Sequence, residues 1–231
     1  MKRGLLYSIA AAAILLCAAP GARLAGQIWL QNQDERAGLT TQLRSVAIHG
    51  DTQWIFERYQ NSEAPLVLFL HGGPGMPAMP LARAFDERLP EAFVVVHWDQ
   101  RGAGLSCEPE RWSAESGANG GGIARGQIDT YVADALELTR VLLAEHKQRR
   151  LHLVAHSWGT ILGLQMIAAQ PELFYSYTGI GQVIDMPAGE IISKERAVEL
   201  AQAANDADGL ATLDAIGAPP YADFRGMLAQ R

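Results

Sequence analysis

The run LHLVAHSWGTILGLQMIAA at residues 151–169 decides how this chain folds. Its apolar beginning predicts a strand buried in a parallel sheet, and residues 160–169 predict an apolar helix. Ser157 lies in the turn between these two elements. A tight strand-to-helix turn holds a serine hydroxyl clear of its own backbone, where it can act as a nucleophile. Such a turn needs small residues two positions before and after the serine, which here are Ala155 and Gly159.

A second motif, HGGPG at residues 71–75, directly follows another apolar run at residues 65–70. Glycines let a backbone pass close to a ligand, and acyl transfer needs N–H groups aimed at the oxygen on which negative charge develops. We predict that the N–H groups of Gly73 and Trp158 form this oxyanion hole. The remaining residues of the motif are expected to shape the loop around the site: His71, Gly72, Pro74 and Gly75.

Strand and helix patterns alternate along most of the chain, which predicts an α/β fold with a mostly parallel sheet flanked by helices. The predicted strands, of which the first two form a hairpin, cover residues 45–49, 53–59, 65–70, 93–97, 151–155 and 175–183. The predicted helices cover residues 81–89, 130–146, 160–169, 194–204 and 210–216. A segment rich in glycine, serine and charge at residues 108–126 is expected to be a loop.

Three motifs together resemble the prolyl aminopeptidase (proline iminopeptidase) family of α/β-hydrolases. They are HGGPG at residues 71–75, WDQRGAGLS at residues 98–106 and HSWG at residues 156–159. The resemblance implies an eight-stranded sheet with a helical cap inserted after the sixth strand. It also implies hydrolysis of an N-terminal residue, often proline, through an acyl-enzyme on Ser157. Esterases and lactonases of this architecture use similar loops, so they remain alternatives, as does a non-catalytic binding protein.

The histidine expected of such a triad is missing from this sequence. In α/β-hydrolases the triad follows the order Ser, then Asp or Glu, then His. All six histidines precede Ser157: His49, His71, His97, His146, His152 and His156. We therefore expect a chain shortened within the cap, with core at residues 27–186 and the beginning of the cap at 187–231. Such a chain is expected to be inactive alone, with an open, aggregation-prone edge at strand 175–183.

The neighbours of these motifs are expected to have structural roles. Asp99 and Arg101 follow a buried strand, where they are expected to pair with each other and bond the loop backbone. His152 and His156 share one face of their strand, opposite Ser157, and are expected to be packed or solvated. In the family that the motifs resemble, the histidine at the position of His71 steadies the loop and does not act as the base.

The N-terminus and the composition restrict the location and the partners of the chain. Lys2 and Arg3 precede an apolar stretch at residues 5–19, which predicts a secretory signal peptide at residues 1–26 and a secreted or periplasmic protein. Membrane contact is expected only through this segment, and an uncleaved anchor is the less favoured alternative. A net charge of −6 argues against nucleic acid. We expect a small peptide or ester substrate and neither a metal nor a cofactor; the oligomeric state stays open.

Overall fold

The computed structural model of the chain describes residues 34–107, 125–219 and 221. Its strands are β1 (Thr40–Ile48), β2 (Asp51–Tyr59), β3 (Leu66–Leu70), β4 (Val94–Asp99), β5 (Leu151–His156) and β6 (Phe174–Ile180). They form one sheet in the order β1-β2-β4-β3-β5-β6. The pairings β1–β2 and β2–β4 are antiparallel, whereas β4, β3, β5 and β6 run parallel to one another. The predicted α/β fold with a mostly parallel sheet is therefore confirmed.

The described helices are α1 (Ala82–Phe85), α2 (Arg125–Glu145), α3 (Gly159–Ala169), α4 (Met186–Ala204) and α5 (Ala207–Ala215). The single helix predicted at residues 81–89 is wrong, because α1 is short and lies between 3₁₀ turns at Met79–Leu81 and Leu89–Glu91. The helix ends at Asp86, whose buried carboxylate binds Arg58 and His97. An ion pair with the sheet thus takes the place of further helical turns.

The core lies where β3, β4 and β5 pack with α2 and α3. All six residues of β4 are buried. In β5 the buried side chains alternate, because every second residue points into the core. The fully buried members of this cluster include Leu68, Leu138, Leu142, Leu153 and Leu162. Each such leucine contributes about 1.5–3 kcal/mol of hydrophobic stabilisation, so these strands form a firm base for the loops that follow them.

The last strand in the sheet is much more exposed than its neighbours. The prediction of a buried strand at residues 175–183 is wrong in this respect, since Phe174 is the one buried residue of β6 and the strand ends at Ile180. β5 covers one edge of β6, and no described strand covers the other. On the faces of β6, Tyr177 is half-buried against α3, whereas Tyr175 and Ile180 are exposed.

Helices α4 and α5 follow β6, and the predicted helices at residues 194–204 and 210–216 fall within them or end one residue later. The first helix begins earlier than predicted because Asp185 caps it, accepting a hydrogen bond of 3.0 Å from the N–H of Ala188. No helix among the described residues is long and apolar enough to span a bilayer.

Two predicted segments fall largely outside the described residues. The predicted signal peptide at residues 1–26 is one of them. The other is the predicted loop at residues 108–126, of which only Arg125 and Gly126 are described, and these two residues already belong to α2.

Candidate active site

Ser157 occupies the turn between β5 and α3 in a left-handed backbone conformation, with φ of 51°. A non-glycine residue adopts this conformation only at a cost of about 1–3 kcal/mol, so surrounding contacts must hold it. The Ser157 N–H donates to the carbonyl oxygen of Ile180 at 2.8 Å. Its carbonyl oxygen accepts hydrogen bonds from the Thr160 N–H at 2.9 Å and the Thr160 hydroxyl at 2.5 Å. The turn is therefore fixed on both sides of the serine.

The loop at residues 71–75 packs directly against this turn, and glycines make the approach possible. A Cβ atom on Gly159 would lie 2.5 Å from the carbonyl oxygen of Leu70 and 2.7 Å from that of His71. A Cβ atom on Gly72 would lie 3.1 Å from the Cβ of Ser157. The two loops thus meet nearly backbone to backbone, which brings the glycine motif beside the serine.

Two backbone N–H groups beside Ser157 are available as donors. Gly73 has a φ of 120°, and a Cβ atom there would lie 2.7 Å from the nitrogens of both Gly75 and Met76. Trp158 is the N-cap of α3, a position whose N–H lies outside the helical hydrogen-bond ladder. Neither N–H has an acceptor among the described residues. Two backbone donors without acceptors near a serine can stabilise an anionic oxygen.

His71 is almost fully buried and makes hydrogen bonds through both ring nitrogens. Its Nδ1 donates to the carbonyl oxygen of Gly72 at 2.8 Å, and its Nε2 accepts from the N–H of Gln100 at 3.1 Å. The Gln100 side chain in turn donates to the His71 carbonyl oxygen at 3.0 Å. Burial lowers the pKa of His71, which favours the neutral ring. This histidine joins the glycine loop to the loop after β4.

The loop after β4 corrects one prediction. Asp99 and Arg101 do not pair, because the Asp99 carboxylate accepts the N–H of Leu105 at 2.8 Å within a tight 3₁₀ turn. Burial raises the pKa of this carboxyl group. The guanidinium of Arg101 instead forms a bidentate pair with Asp134 at 2.8 and 3.0 Å and contacts Asp51. The predicted bond from Asp99 to the loop backbone is present.

Sequence reasoning missed Asp134 and the role of its neighbour Tyr131. Asp134 is fully buried on α2 and also binds Gln53 at 2.8 Å and His49 at 3.0 Å. The Tyr131 hydroxyl donates to the carbonyl oxygen of Arg101 at 3.0 Å. A carboxylate within the apolar stripe of α2, three residues after Tyr131, was the available signal, because a buried charge requires a partner.

The remaining candidates lie where packing or capping explains them. His156 is exposed beside the turn, and the half-buried His152 bonds the Ser176 hydroxyl at 2.8 Å. The downstream acids Asp185 and Asp206 cap α4 and α5. Among the described residues, no group of three or more His, Cys, Asp or Glu side chains is assembled as a metal site.

Comparisons with known proteins agree with the α/β-hydrolase fold. The sequence profile of the alpha/beta hydrolase fold matches residues 65–207. The chain is 36% identical over 180 residues to probable aminopeptidase YbaC of Bacillus subtilis (strain 168), covering 78% of this chain and 53% of that protein. The chain thus spans about half the length of this relative.

Two solved structures share the fold. One is a proline iminopeptidase-related protein from Thermus thermophilus, with a TM-score of 0.54 and 23% identity over 74% of this chain and 59% of that one. The other is a membrane phospholipase A, with a TM-score of 0.55 and 26% identity over 87% of this chain and 58% of that one.

Proposed function

The chain belongs to the α/β-hydrolase family, as its motifs predict, and from this premise we propose that it carries the nucleophile and oxyanion hole of a serine aminopeptidase. The observation that carries the proposal is Ser157 at a φ of 51° between β5 and α3, packed against the loop that holds Gly73. The similarity to a protein named a probable aminopeptidase supports a peptide substrate with a free N-terminus.

In the proposed reaction, the Ser157 hydroxyl oxygen attacks the carbonyl carbon of the first peptide bond, and its proton passes to a general base. The negative charge that develops on the carbonyl oxygen is stabilised by the N–H groups of Gly73 and Trp158. The carbon–nitrogen bond then breaks, and the leaving amine takes the proton from the base. Water hydrolyses the remaining ester on Ser157 and releases the N-terminal residue.

The general base is proposed to come from outside these 231 residues. No histidine follows Ser157 in the sequence. Both ring nitrogens of His71 are engaged in hydrogen bonds, so this nearby residue is a poor candidate. Without a base, a serine hydrolase retains only the contributions of the oxyanion hole and of binding, and loses several orders of magnitude in rate.

An ester substrate is the second candidate, because a structural neighbour that shares 26% identity and a TM-score of 0.55 is named a membrane phospholipase A. The turn around Ser157 and the two oxyanion donors would serve amide hydrolysis and ester hydrolysis equally. They therefore do not discriminate between a peptide substrate and an ester substrate. The discriminating contacts would lie with the substrate's amine or acyl chain.

Kinetics on a longer version of the protein that supplies a downstream acid and histidine would test the proposal. We expect hydrolysis of proline-naphthylamide with higher kcat/KM than that of short acyl esters, and no hydrolysis by Ser157→Ala. A preference for esters would favour the second candidate. A Ser157→Ala variant as active as the parent, or no hydrolysis of either class, would contradict a serine hydrolase and favour a non-catalytic binding protein.

A further inference from the structure

We propose that Tyr131 is a positioning residue that holds the two oxyanion donors, the N–H groups of Gly73 and Trp158, at a fixed separation. The inference rests on the proposed function, because it assigns a task to these donors. Tyr131 lies on α2 and belongs to neither loop that carries a donor. It nevertheless contacts Trp158 directly and reaches the glycine loop through a short series of hydrogen bonds.

On the Trp158 side the contact is between aromatic rings. The Tyr131 and Trp158 rings lie edge to face, with centroids 6.2 Å apart and planes at 88°. Both side chains are buried, and the indole N–H has no hydrogen-bond partner among the described residues. Among the described residues, the edge-to-face packing with Tyr131 is therefore the contact that orients the Trp158 indole. Since Trp158 directly follows the serine, fixing its side chain restricts the orientation of its backbone N–H.

On the Gly73 side the contact runs through the loop after β4. The Tyr131 hydroxyl donates to the carbonyl oxygen of Arg101, and Asp134, one helical turn further along α2, binds the Arg101 guanidinium. The preceding residue, Gln100, bonds both the ring and the carbonyl oxygen of His71. Helix α2 therefore binds both the backbone and the side chain of Arg101. The loop after β4, to which Arg101 belongs, in turn binds His71 at the start of the glycine loop.

The two donors follow separate strand ends, after β3 and after β5, and the loops that carry them also pack against each other at Gly72 and Gly159. The contacts that fix the serine turn come from Thr160 and Ile180, and neither reaches the loop after β4. Loss of the Tyr131 hydroxyl would leave the Asp134 ion pair and the ring packing in place but release the Arg101 carbonyl oxygen. Because removal of a whole oxyanion donor lowers rates by about 10²–10³, we expect loosened positioning of one to cost about tenfold.

The test is covalent labelling by a fluorophosphonate, followed by mass spectrometry, of the longer version of the protein that supplies a downstream acid and histidine, which serves as the parent for the variants. The Ser157 oxygen forms a bond to phosphorus, fluoride leaves, the serine proton passes to the general base of the longer version, and the phosphoryl oxygen occupies the oxyanion hole. Tyr131→Phe is expected to lower the maximal labelling rate about tenfold without changing the concentration for half-maximal rate. Leu142→Ala, a core substitution on the same helix, should lower the melting temperature further yet keep the parent labelling rate.

The outcomes distinguish failure of the positioning role of Tyr131 from failure of the proposed function. If the parent is labelled at Ser157 and Tyr131→Phe reacts at the same rate, the positioning role is wrong and the proposed function stands. If Leu142→Ala slows labelling as much as Tyr131→Phe, the effect is one of stability, and the positioning role is again wrong. If the parent is not labelled, or Ser157→Ala is labelled equally, the proposed function fails and the positioning role with it.

Discussion

The central region, comprising β2 to β5 with the loops after them and the helices α2 and α3 packed on them, contrasts with the C-terminal region of β6, α4 and α5. Every residue of β4 is buried, whereas α4 has no buried residue and β6 has one. Charged groups differ in the same way. Arg58 and Asp86 form a buried pair in the central region, whereas Arg196 and Glu199 pair on the exposed surface of α4.

This difference shows where the geometry of the site originates. The contacts that hold the oxyanion loops, His71 with Gln100 and Arg101 with Asp134, lie within the well-packed part of the chain. From β6 and the segment after it, the carbonyl oxygen of Ile180 accepts the Ser157 N–H, and the Val183 N–H donates to the Thr160 hydroxyl, whereas α4 and α5 have no described hydrogen bond to the serine turn. We therefore infer that substitutions at these central contacts affect stability and site together, while substitutions in α4 and α5 affect neither strongly.

The largest effect is expected for Asp86→Asn. The Asp86 carboxylate binds Arg58 at 2.5 Å and His97 at 2.9 Å, and all three side chains are buried. Removing its charge leaves the Arg58 guanidinium with Asp34 as its remaining described partner, which is expected to lower the free energy of unfolding by about 3–5 kcal/mol. Urea denaturation measures the loss.

Glu199→Gln is the matched substitution in the C-terminal region. The Arg196–Glu199 pair is solvent-exposed, and such pairs contribute little, so we expect no measurable change in the urea midpoint. Similar losses for Asp86→Asn and Glu199→Gln would contradict the contrast between the two regions.

Glycine-to-alanine substitutions are expected to change the free energy of unfolding in opposite directions in the two regions. Gly159→Ala places a Cβ atom 2.5 Å from a backbone oxygen that cannot move freely, which should destabilise the fold by about 2–3 kcal/mol. Gly189→Ala on α4 meets no atom within 4 Å and restricts the unfolded chain, so it should stabilise by about 0.5–1 kcal/mol. Thermal unfolding of both variants beside the parent measures the difference, and a shift of the same sign in both would refute it.

The same contrast explains how much of the fold was predictable. The sequences that form β3, β4 and β5 are predominantly apolar, and the turn at Gly50-Asp51 predicts the β1–β2 hairpin, because local composition decides these elements. The short α1 was not predictable in this way. It ends at Asp86 to form an ion pair with Arg58, which is distant in sequence.

The site divides along the same line. Local sequence motifs mark the turn around Ser157 and the glycine loop. Because each motif follows a strand of the predicted parallel sheet, the proximity of the two loops could be predicted. The partner of Arg101 did not, since Asp134 is 33 residues away and Asp99 is nearer in sequence. Local pairing was the natural expectation, but the Leu105 N–H occupies the Asp99 carboxylate. Charged partners inside a core are chosen by the packing of whole elements, which sequence spacing does not reveal.

Titration of His71 offers a smaller effect within the central region. Burial lowers its folded pKa below the unfolded value of about 6.5, and its Nε2 must stay unprotonated to accept the Gln100 N–H. The unfolded chain therefore binds more protons, and stability falls as pH drops from about 6.5 through the folded pKa. His71→Gln should flatten this fall in urea midpoints measured from about pH 7 to about pH 5.

The contribution of His146 to stability is expected to change with pH in the opposite direction to that of His71. The Glu57 carboxylate, 3.9 Å from its Nε2, raises the pKa of His146. Its contribution to stability is complete below about pH 6.5 and is lost as pH rises through the folded pKa. The difference between parent and His146→Gln should therefore shrink as pH rises, and a difference that grows instead would overturn the assignment.

The smallest effect on stability, and the sharpest test of the C-terminal region, is expected for Ile192→Lys. Ile192 is 65% exposed on α4, so replacing it should change the free energy of unfolding by less than about 0.5 kcal/mol. Exposed apolar surface nevertheless promotes association between copies, and a charge there should reduce it. Light scattering at increasing concentration would measure the change.

Ile55→Val, a substitution of a fully buried core residue, should lower stability by about 1 kcal/mol and leave association unaltered. If Ile55→Val changed association and Ile192→Lys did not, self-association would arise from partial unfolding, and the uncovered C-terminal surface would have no part in it.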